Sequence, residues 1–193
     1  MKSKRIFRLI LILLFLIIFL LICKFLSTKF IIQISTCMPK GIYIKKEIPS
    51  KLACGQILLF KIPEHVKDLV FQRGWFLSNL NFFMTKPIAA LEGDVILISK
   101  NKLFINNKYF GQVKNNDKKG LPLPQISNHF KIPKNKIFVA SMKDDSFDSR
   151  YFGLIDKKNV LAVVKPFVIF SRAHALRGHV SSDALRPLVP ETL

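Results

Sequence analysis

Ser35-Thr36-Cys37-Met38-Pro39-Lys40-Gly41-Ile42-Tyr43 is the stretch on which the reading of this chain turns. It carries Cys37 and lies about ten residues beyond an N-terminal apolar segment. It then runs directly into Gly41-Ile42-Tyr43-Ile44-Lys45-Lys46, whose alternation and β-branched content predict a strand. What lies upstream decides the compartment, and what lies downstream decides the fold.

Upstream, Leu9 to Cys23 is unbroken Leu, Ile and Phe, extended by Ile6 and Phe7 before it and by Phe25 and Leu26 after it. Ile6 to Leu26 approaches the roughly 20 residues that a helix needs to cross a bilayer. Arg8 and Lys24 stand near its ends, where long side chains reach the interface. A cleaved signal peptide is the alternative, but Lys24-Phe25-Leu26-Ser27-Thr28-Lys29-Phe30 offers no pair of small residues spaced for processing. The expectation is an uncleaved anchor. Lys2, Lys4, Arg5 and Arg8 precede it, against Lys24 and Lys29 after it. The excess of positive charge leaves the N-terminus cytoplasmic and the rest of the chain across the membrane.

Downstream, short strand signals recur. They comprise Gln56 to Lys61, Asp94 to Ser99, Lys136 to Ser141 and Val160 to Val164. Leu103 to Gly111 reads as a hairpin, with Asn106-Asn107 supplying a turn of positive φ. Lys114 to Lys134 is rich in Asn, Lys, Gly and Pro and reads as a loop. Many short strands separated by turns imply a mainly β domain. Trp75 to Met84 departs from this pattern. It reads as core or a short buried helix, or as an apolar surface resting on the bilayer.

The net charge is +19. The lysines are dispersed between apolar strands, and no helix-turn-helix, zinc-finger or RNA-recognition motif is present. Attraction to an anionic membrane surface accounts for the charge without a specific nucleic-acid partner. No Cys/His cluster has metal-ligand spacing, so no metal or cofactor is expected. Cys23, Cys37 and Cys54 make no disulfide framework, although Cys37 and Cys54 in an exported domain leave one pairing open.

Two further strings carry chemistry. Lys86 lies between Phe82-Phe83-Met84 and Ile88-Ala89-Ala90-Leu91, ahead of Gly93 and Asp94. Apolar surroundings disfavour an ammonium, and a neutral amine serves as a base toward a hydroxyl or thiol. The bland reading is one more solvated cation. Asp144 to Gly153 contains Ser146, Asp148, Ser149 and Arg150, a dense polar cluster entering a β core. Such groups need internal partners. Asp148 and Arg150 are expected to pair, and Ser146 and Ser149 to hold a neighbouring polar group.

The order nucleophile, lysine, Asp-Ser-Arg resembles the type I signal peptidases, and most closely their TraF-type conjugative-transfer branch. Met38-Pro39-Lys40-Gly41-Ile42-Tyr43 is similar to that branch's Met/Leu-Pro-x-Gly-x-Tyr. Lys86 to Asp94 resembles its lysine box, and Ser146 to Gly153 its Ser-x-Asp-Ser-Arg-Tyr-aromatic-Gly box. The resemblance implies coiled antiparallel sheets on a single N-terminal transmembrane helix. It assigns Cys37 the place of the nucleophile, which is serine in the family, and Lys86 that of the general base. Ser35 and the Cys37 N–H then form the oxyanion hole, with Ser146 orienting the base and Asp148 and Arg150 supporting the site. The implied substrate is a signal-peptide-bearing or pilin-like precursor, cut through an acyl-enzyme that ends in hydrolysis or in cyclisation. The lipid bilayer and conjugation or type IV secretion components are the implied partners.

The expected organisation is a cytoplasmic stub and anchor over 1–26, a catalytic domain over 27–170 and a tail over 171–193. The tail has Arg172, Arg177 and Arg186 but no lysine, and its default expectation is disorder. The location implied is the bacterial inner membrane with the domain outside the cytoplasm. Cysteine at the nucleophile position leaves a second expectation: a family member without turnover that serves as an interaction subunit of a conjugation or secretion apparatus.

Overall fold

The computed structural model describes residues 2–34, 37–75 and 83–170. Ser35, residues 76–82 of the aromatic stretch and the 171–193 tail lie outside the described residues.

Helix α1 (Lys2–Lys29) runs without a break into β1 (Phe30–Gln33). Its Ile6–Lys29 portion is 24 residues long and reaches a mean hydropathy of 3.3, and none of the described residues in that apolar window is buried. At about 1.5 Å per residue it exceeds the roughly 30 Å of a bilayer's hydrocarbon core. It has the length and composition of a membrane span. At its end Lys45 Nζ donates to the Ser27 carbonyl at 2.9 Å, fixing the helix terminus to the domain.

The domain contains β2 (Gly41–Lys46), β3 (Ile57–Lys61), the short helix α2 (Lys67–Gln72) and β4 (Phe83–Ala90). These are followed by β5 (Val95–Ser99), β6 (Lys102–Ile105), β7 (Lys108–Gln112), β8 (His129–Lys131) and β9 (Lys136–Val139). Helix α3 (Ser149–Phe152), β10 (Ile155–Asp156) and β11 (Val160–Ile169) complete it. One sheet has the order β1-β2-β11-β3-β4-β9-β10, and a second the order β7-β6-β5-β8. Among the described residues every strand pairing is antiparallel. The mainly β expectation holds.

The larger sheet is coiled rather than flat, and one bond shows it. β1 and β4 are separated in the sheet by β2, β11 and β3, yet Thr85 Oγ1 donates to Gln33 Oε1 at 2.7 Å in the interior. The sheet therefore curls until the end of β1 faces β4. A small core of Met38, Tyr43, Leu59, Ala162 and Val164 fills the space enclosed. A larger core around Leu58, Phe60, Ile88 and Phe152 packs beneath the sheet, and a third joins it to the smaller one through Ile96, Leu103 and Phe138.

The hairpin turn forms at Asn106 and Asn107, with φ of 49° and 64°. The two asparagines tolerate the left-handed region that a tight hairpin demands. Three elements differ from the sequence expectation. β8 lies within the segment read as a loop, and β11 continues past Pro166 by a bulge before Val168. β4 was hidden by Pro87, a residue disfavoured inside a sheet. It persists because β3 and β9 flank it, and Pro87 still accepts a bond from the Ala140 N–H at 3.1 Å.

Candidate active site

Cys37 sits at the turn between β1 and β2, half-exposed, and the residues after it hold that turn in place. Met38 is buried in the small core beside Tyr43. The Tyr43 hydroxyl donates to the Pro39 carbonyl at 2.9 Å, and the Phe170 N–H to the Lys40 carbonyl at 2.9 Å. Gly41 is required by contact: a Cβ there would stand 2.2 Å from the Val168 carbonyl oxygen and 3.0 Å from the Ile169 Cα. Backbone cannot yield as a flexible side chain does. Gly41→Ala is therefore expected to push β2 and β11 apart and destabilise the domain by about 1–3 kcal/mol. Chemical denaturation of the full chain in detergent checks this, and an unchanged midpoint would contradict the close approach.

Lys86, on β4, is 3% exposed, and its Nζ donates to Ser146 Oγ at 2.6 Å. Among the described residues no carboxylate forms an ion pair with it. Its neighbour Thr85 makes the buried bond to Gln33, so the edge strand β1 is tied to β4 next to the lysine.

The Ser146 to Gly153 segment is a polar knot inside an aromatic shell. Asp148 caps α3, its Oδ1 accepting from the Arg150 N–H at 3.2 Å. Arg150 and Asp148 are both fully buried and form a two-pronged pair, Nε to Oδ1 at 2.8 Å and Nη2 to Oδ2 at 2.7 Å. The guanidinium also donates to the carbonyls of Gln112 (2.8 Å), Ser141 (3.2 Å), Lys143 (2.8 Å) and Ser146 (3.4 Å). Desolvation works against its charge, but the bond and charge of Asp148 outweigh it and raise the Arg150 pKa. Ser149 Oγ accepts from the Val139 N–H at 3.0 Å. Phe147 stacks on Tyr151 and meets Phe152 and Trp75 edge-on or tilted, closing the knot to water.

Ser141, at the exit of β9, joins the parts, and sequence reasoning passed it over. Its Oγ donates to the Cys37 carbonyl at 2.9 Å, its N–H donates to Asp148 Oδ2 at 3.1 Å and its carbonyl receives Arg150. Cys37, Ser141, Arg150, Ser146 and Lys86 thus form one connected hydrogen-bonded network, although they come from three remote parts of the chain. The only advance signal for Ser141 was its position, the last residue of a strand that precedes the polar string.

Gly93 and Asp94 serve elsewhere. Gly93 adopts φ of 92°, and Asp94 Oδ2 and Oδ1 accept from the Leu91 N–H and Asn106 Nδ2, each at 2.8 Å. They shape the turn from β4 to β5 and brace the β6–β7 hairpin. Cys37, Cys54 and Cys23 are all unpaired, so the possible Cys37–Cys54 bridge is not formed. Burial, then the charge of Asp94, pushes the Cys54 thiol up in pKa.

A loop that the sequence left featureless reaches Asp145, the residue before Ser146. Arg73 pairs with Asp117 and donates to the Pro122 carbonyl at 2.9 Å, while Asp117 Oδ1 accepts from the N–H groups of Lys119 and Leu121. Desolvation opposes the Asp117 charge, yet the two N–H bonds and Arg73 together hold its carboxyl below the usual range. This fold of the loop carries Lys118 to Asp145, 2.7 Å away and one residue before Ser146. The bond and then the charge of Asp145 raise the Lys118 pKa against desolvation. The bond from Lys118 in turn lowers the Asp145 pKa.

Several known proteins resemble this chain over much of its length. A plasmid transfer protein TraF of Escherichia coli is 25% identical over 138 residues, covering 67% of this chain and 77% of the relative. A second E. coli plasmid transfer protein TraF is 27% identical over 141 residues, 68% of this chain and 78% of the relative. Signal peptidase I V of Bacillus subtilis is 29% identical over 119 residues, 56% and 61% of the two chains. A crystal structure of a signal peptidase I from Enterococcus faecalis superposes with a TM-score of 0.37 at 20% identity, over 61% of this chain and all of that one. The family model described as signal peptidase, peptidase S26, matches residues 4–169, nearly the whole described chain, and the protein belongs to that peptidase family.

Proposed function

We propose that this protein is a membrane-anchored endopeptidase that cuts an exported or plasmid-transfer precursor, with Cys37 as nucleophile and Lys86 as general base. The observation that carries the reading is the network from Lys86 through Ser146, Arg150 and Ser141 to the Cys37 carbonyl. An amine buried on a strand and held at 2.6 Å by a hydroxyl supports the base's role for Lys86.

In this reading Lys86 Nζ takes the thiol proton as Sγ bonds to the scissile carbonyl carbon. The oxyanion is received by the Cys37 N–H and the Ser35 hydroxyl, a type of donor pair that contributes on the order of 3 kcal/mol per bond. Collapse breaks the C–N bond, Lys86 returns the proton to the departing amine, and a thioester remains on Cys37. Water, activated by the same lysine, hydrolyses it, or an amine of the substrate displaces the sulfur and forms a new amide. Ser146 keeps the amine aimed, while Asp148 and Arg150 hold Ser146 and Ser141 where the chemistry needs them.

The anchor sets the side of the membrane. Lys2, Lys4, Arg5 and Arg8 keep the N-terminus in the cytoplasm, and the domain faces the extracytoplasmic side of the inner membrane. Ile32, Ile34, Phe167, Val168 and Phe170 are exposed on β1, on β11 and just beyond them, near the end of α1, and suit contact with the bilayer. The domain spans 27–170, and the two plasmid transfer relatives favour a component of a transfer apparatus as substrate.

The test is cleavage of a pilin-like precursor by the detergent-solubilised full chain. Cys37→Ala is expected to lower cleavage by on the order of a thousandfold or more, while Cys37→Ser retains or gains activity. Equal cleavage by the parent and Cys37→Ala would overturn the nucleophile. Activity seen only in Cys37→Ser would make the parent an interaction subunit instead.

A further inference from the structure

A groove of about 610 Å³ opens beside the end of α1, lined by residues that do not belong to the Lys86–Ser146 network. Lys29, Lys45, Lys46 and Lys165 line it, with Glu47 as the acidic residue and Val163 in its floor. Among the described residues none of these four lysines forms an ion pair. Four lysines against one carboxylate leave the concavity with a net positive charge that favours an anion. The helix terminus adds about half a negative charge, and the Lys45 bond to the Ser27 carbonyl offsets part of it.

Position identifies the anion. The apolar span ends at Lys29, which is itself a groove residue, and Lys45 fixes β2 to the last turn of that helix. The groove therefore opens at the level where a span of this length meets the lipid headgroups. We infer that it is a binding site for the phosphate of an anionic phospholipid headgroup, seated between the anchor and the domain. The site sets the height and tilt of the domain above the bilayer, and so the register at which Cys37 meets a membrane-borne precursor. The inference rests on the reading that α1 spans the membrane.

The full chain in neutral-detergent micelles is titrated with dihexanoyl phosphatidylglycerol, dihexanoyl phosphatidylcholine and inorganic phosphate, and bound ligand is counted by native mass spectrometry. One phosphatidylglycerol is expected to bind in preference to the other two. Lys46→Gln with Lys165→Gln is expected to weaken it on the order of twentyfold, since each lysine near an anionic lipid surface contributes about a fivefold effect. Lys102→Gln with Lys108→Gln removes the same charge from the four-stranded sheet and is expected to change binding less than twofold. Equal weakening by the two pairs would overturn the site, because it would leave only net charge. Phosphatidylcholine binding as tightly, or inorganic phosphate displacing the lipid at equal concentration, would overturn the lipid assignment. Alkaline extraction of the full chain from membranes tests the anchor separately: release would overturn the span and the lipid source with it, while the micelle titration still reports on the groove.

Discussion

Lys86→Met is expected to reduce precursor cleavage by about 10²- to 10⁴-fold while leaving the chain folded, which is the range that a positioned general base contributes. The substitution suits the site, because Lys86 is buried on β4 and bonded only to Ser146 among the hydrogen bonds described for its side chain. Met fills similar volume without an amine, so the strand pairing of β4 with β3 and β9 is retained. A fall in kcat with little change in KM is the expected signature of a group used in the transition state. Ser146→Ala is the companion variant: it frees the amine without removing it, and a loss smaller than that of Lys86→Met is expected. Wild-type turnover by Lys86→Met would remove the base from the account.

Arg150→Met is expected to cost about 3–5 kcal/mol of stability, the typical effect of removing one partner of a buried pair. That is a large part of the roughly 5–15 kcal/mol that holds a domain folded. Arg150 is fully buried, and its removal strands the Asp148 carboxylate together with the carbonyls of Gln112, Ser141, Lys143 and Ser146. The loss is expected to be non-additive with Asp148→Asn, because the two side chains share bonds. Trp75, the single tryptophan, lies 4.8 Å from Phe147 and reports unfolding at this corner by its fluorescence. A measured loss below about 1 kcal/mol would put the Arg150 pair in the class of exposed ion pairs and contradict its burial.

Much of the fold was legible because its strands obey simple local rules. Gly41 to Lys46, Ile57 to Lys61 and the Asn106-Asn107 hairpin announce themselves by alternation, apolar runs and turn chemistry. β4 did not, since Pro87 argues locally against a strand and only the flanking strands β3 and β9 override it. The curl of the larger sheet was equally hidden. It depends on which distant side chains meet, and Gln33 and Thr85 carry no mark of each other in the sequence.

The candidate site divides in the same way. Cys37, Lys86 and the Ser146 to Gly153 string stood out as motifs, but not the means by which they meet. Ser141 looks like an ordinary strand end, and its bond to the Cys37 carbonyl exists only once the sheet has coiled. The Arg73–Asp117 clasp that brings Lys118 to Asp145 lies in a segment whose composition says only loop. Gly93 and Asp94 show the converse: they belong to a recognisable string, yet their bonds brace a turn and a hairpin.

The most direct measurement of the central claim is acid-quenched mass spectrometry of the full chain mixed with a precursor. A thioester is stable in acid, so a covalent intermediate formed at Cys37 survives the quench and proteolytic mapping. The account predicts that the peptide containing Cys37 gains the mass of the precursor's N-terminal fragment, and that Cys37→Ala shows no such adduct. Cleavage that proceeds with no adduct at Cys37, or with the adduct on another residue, would contradict it.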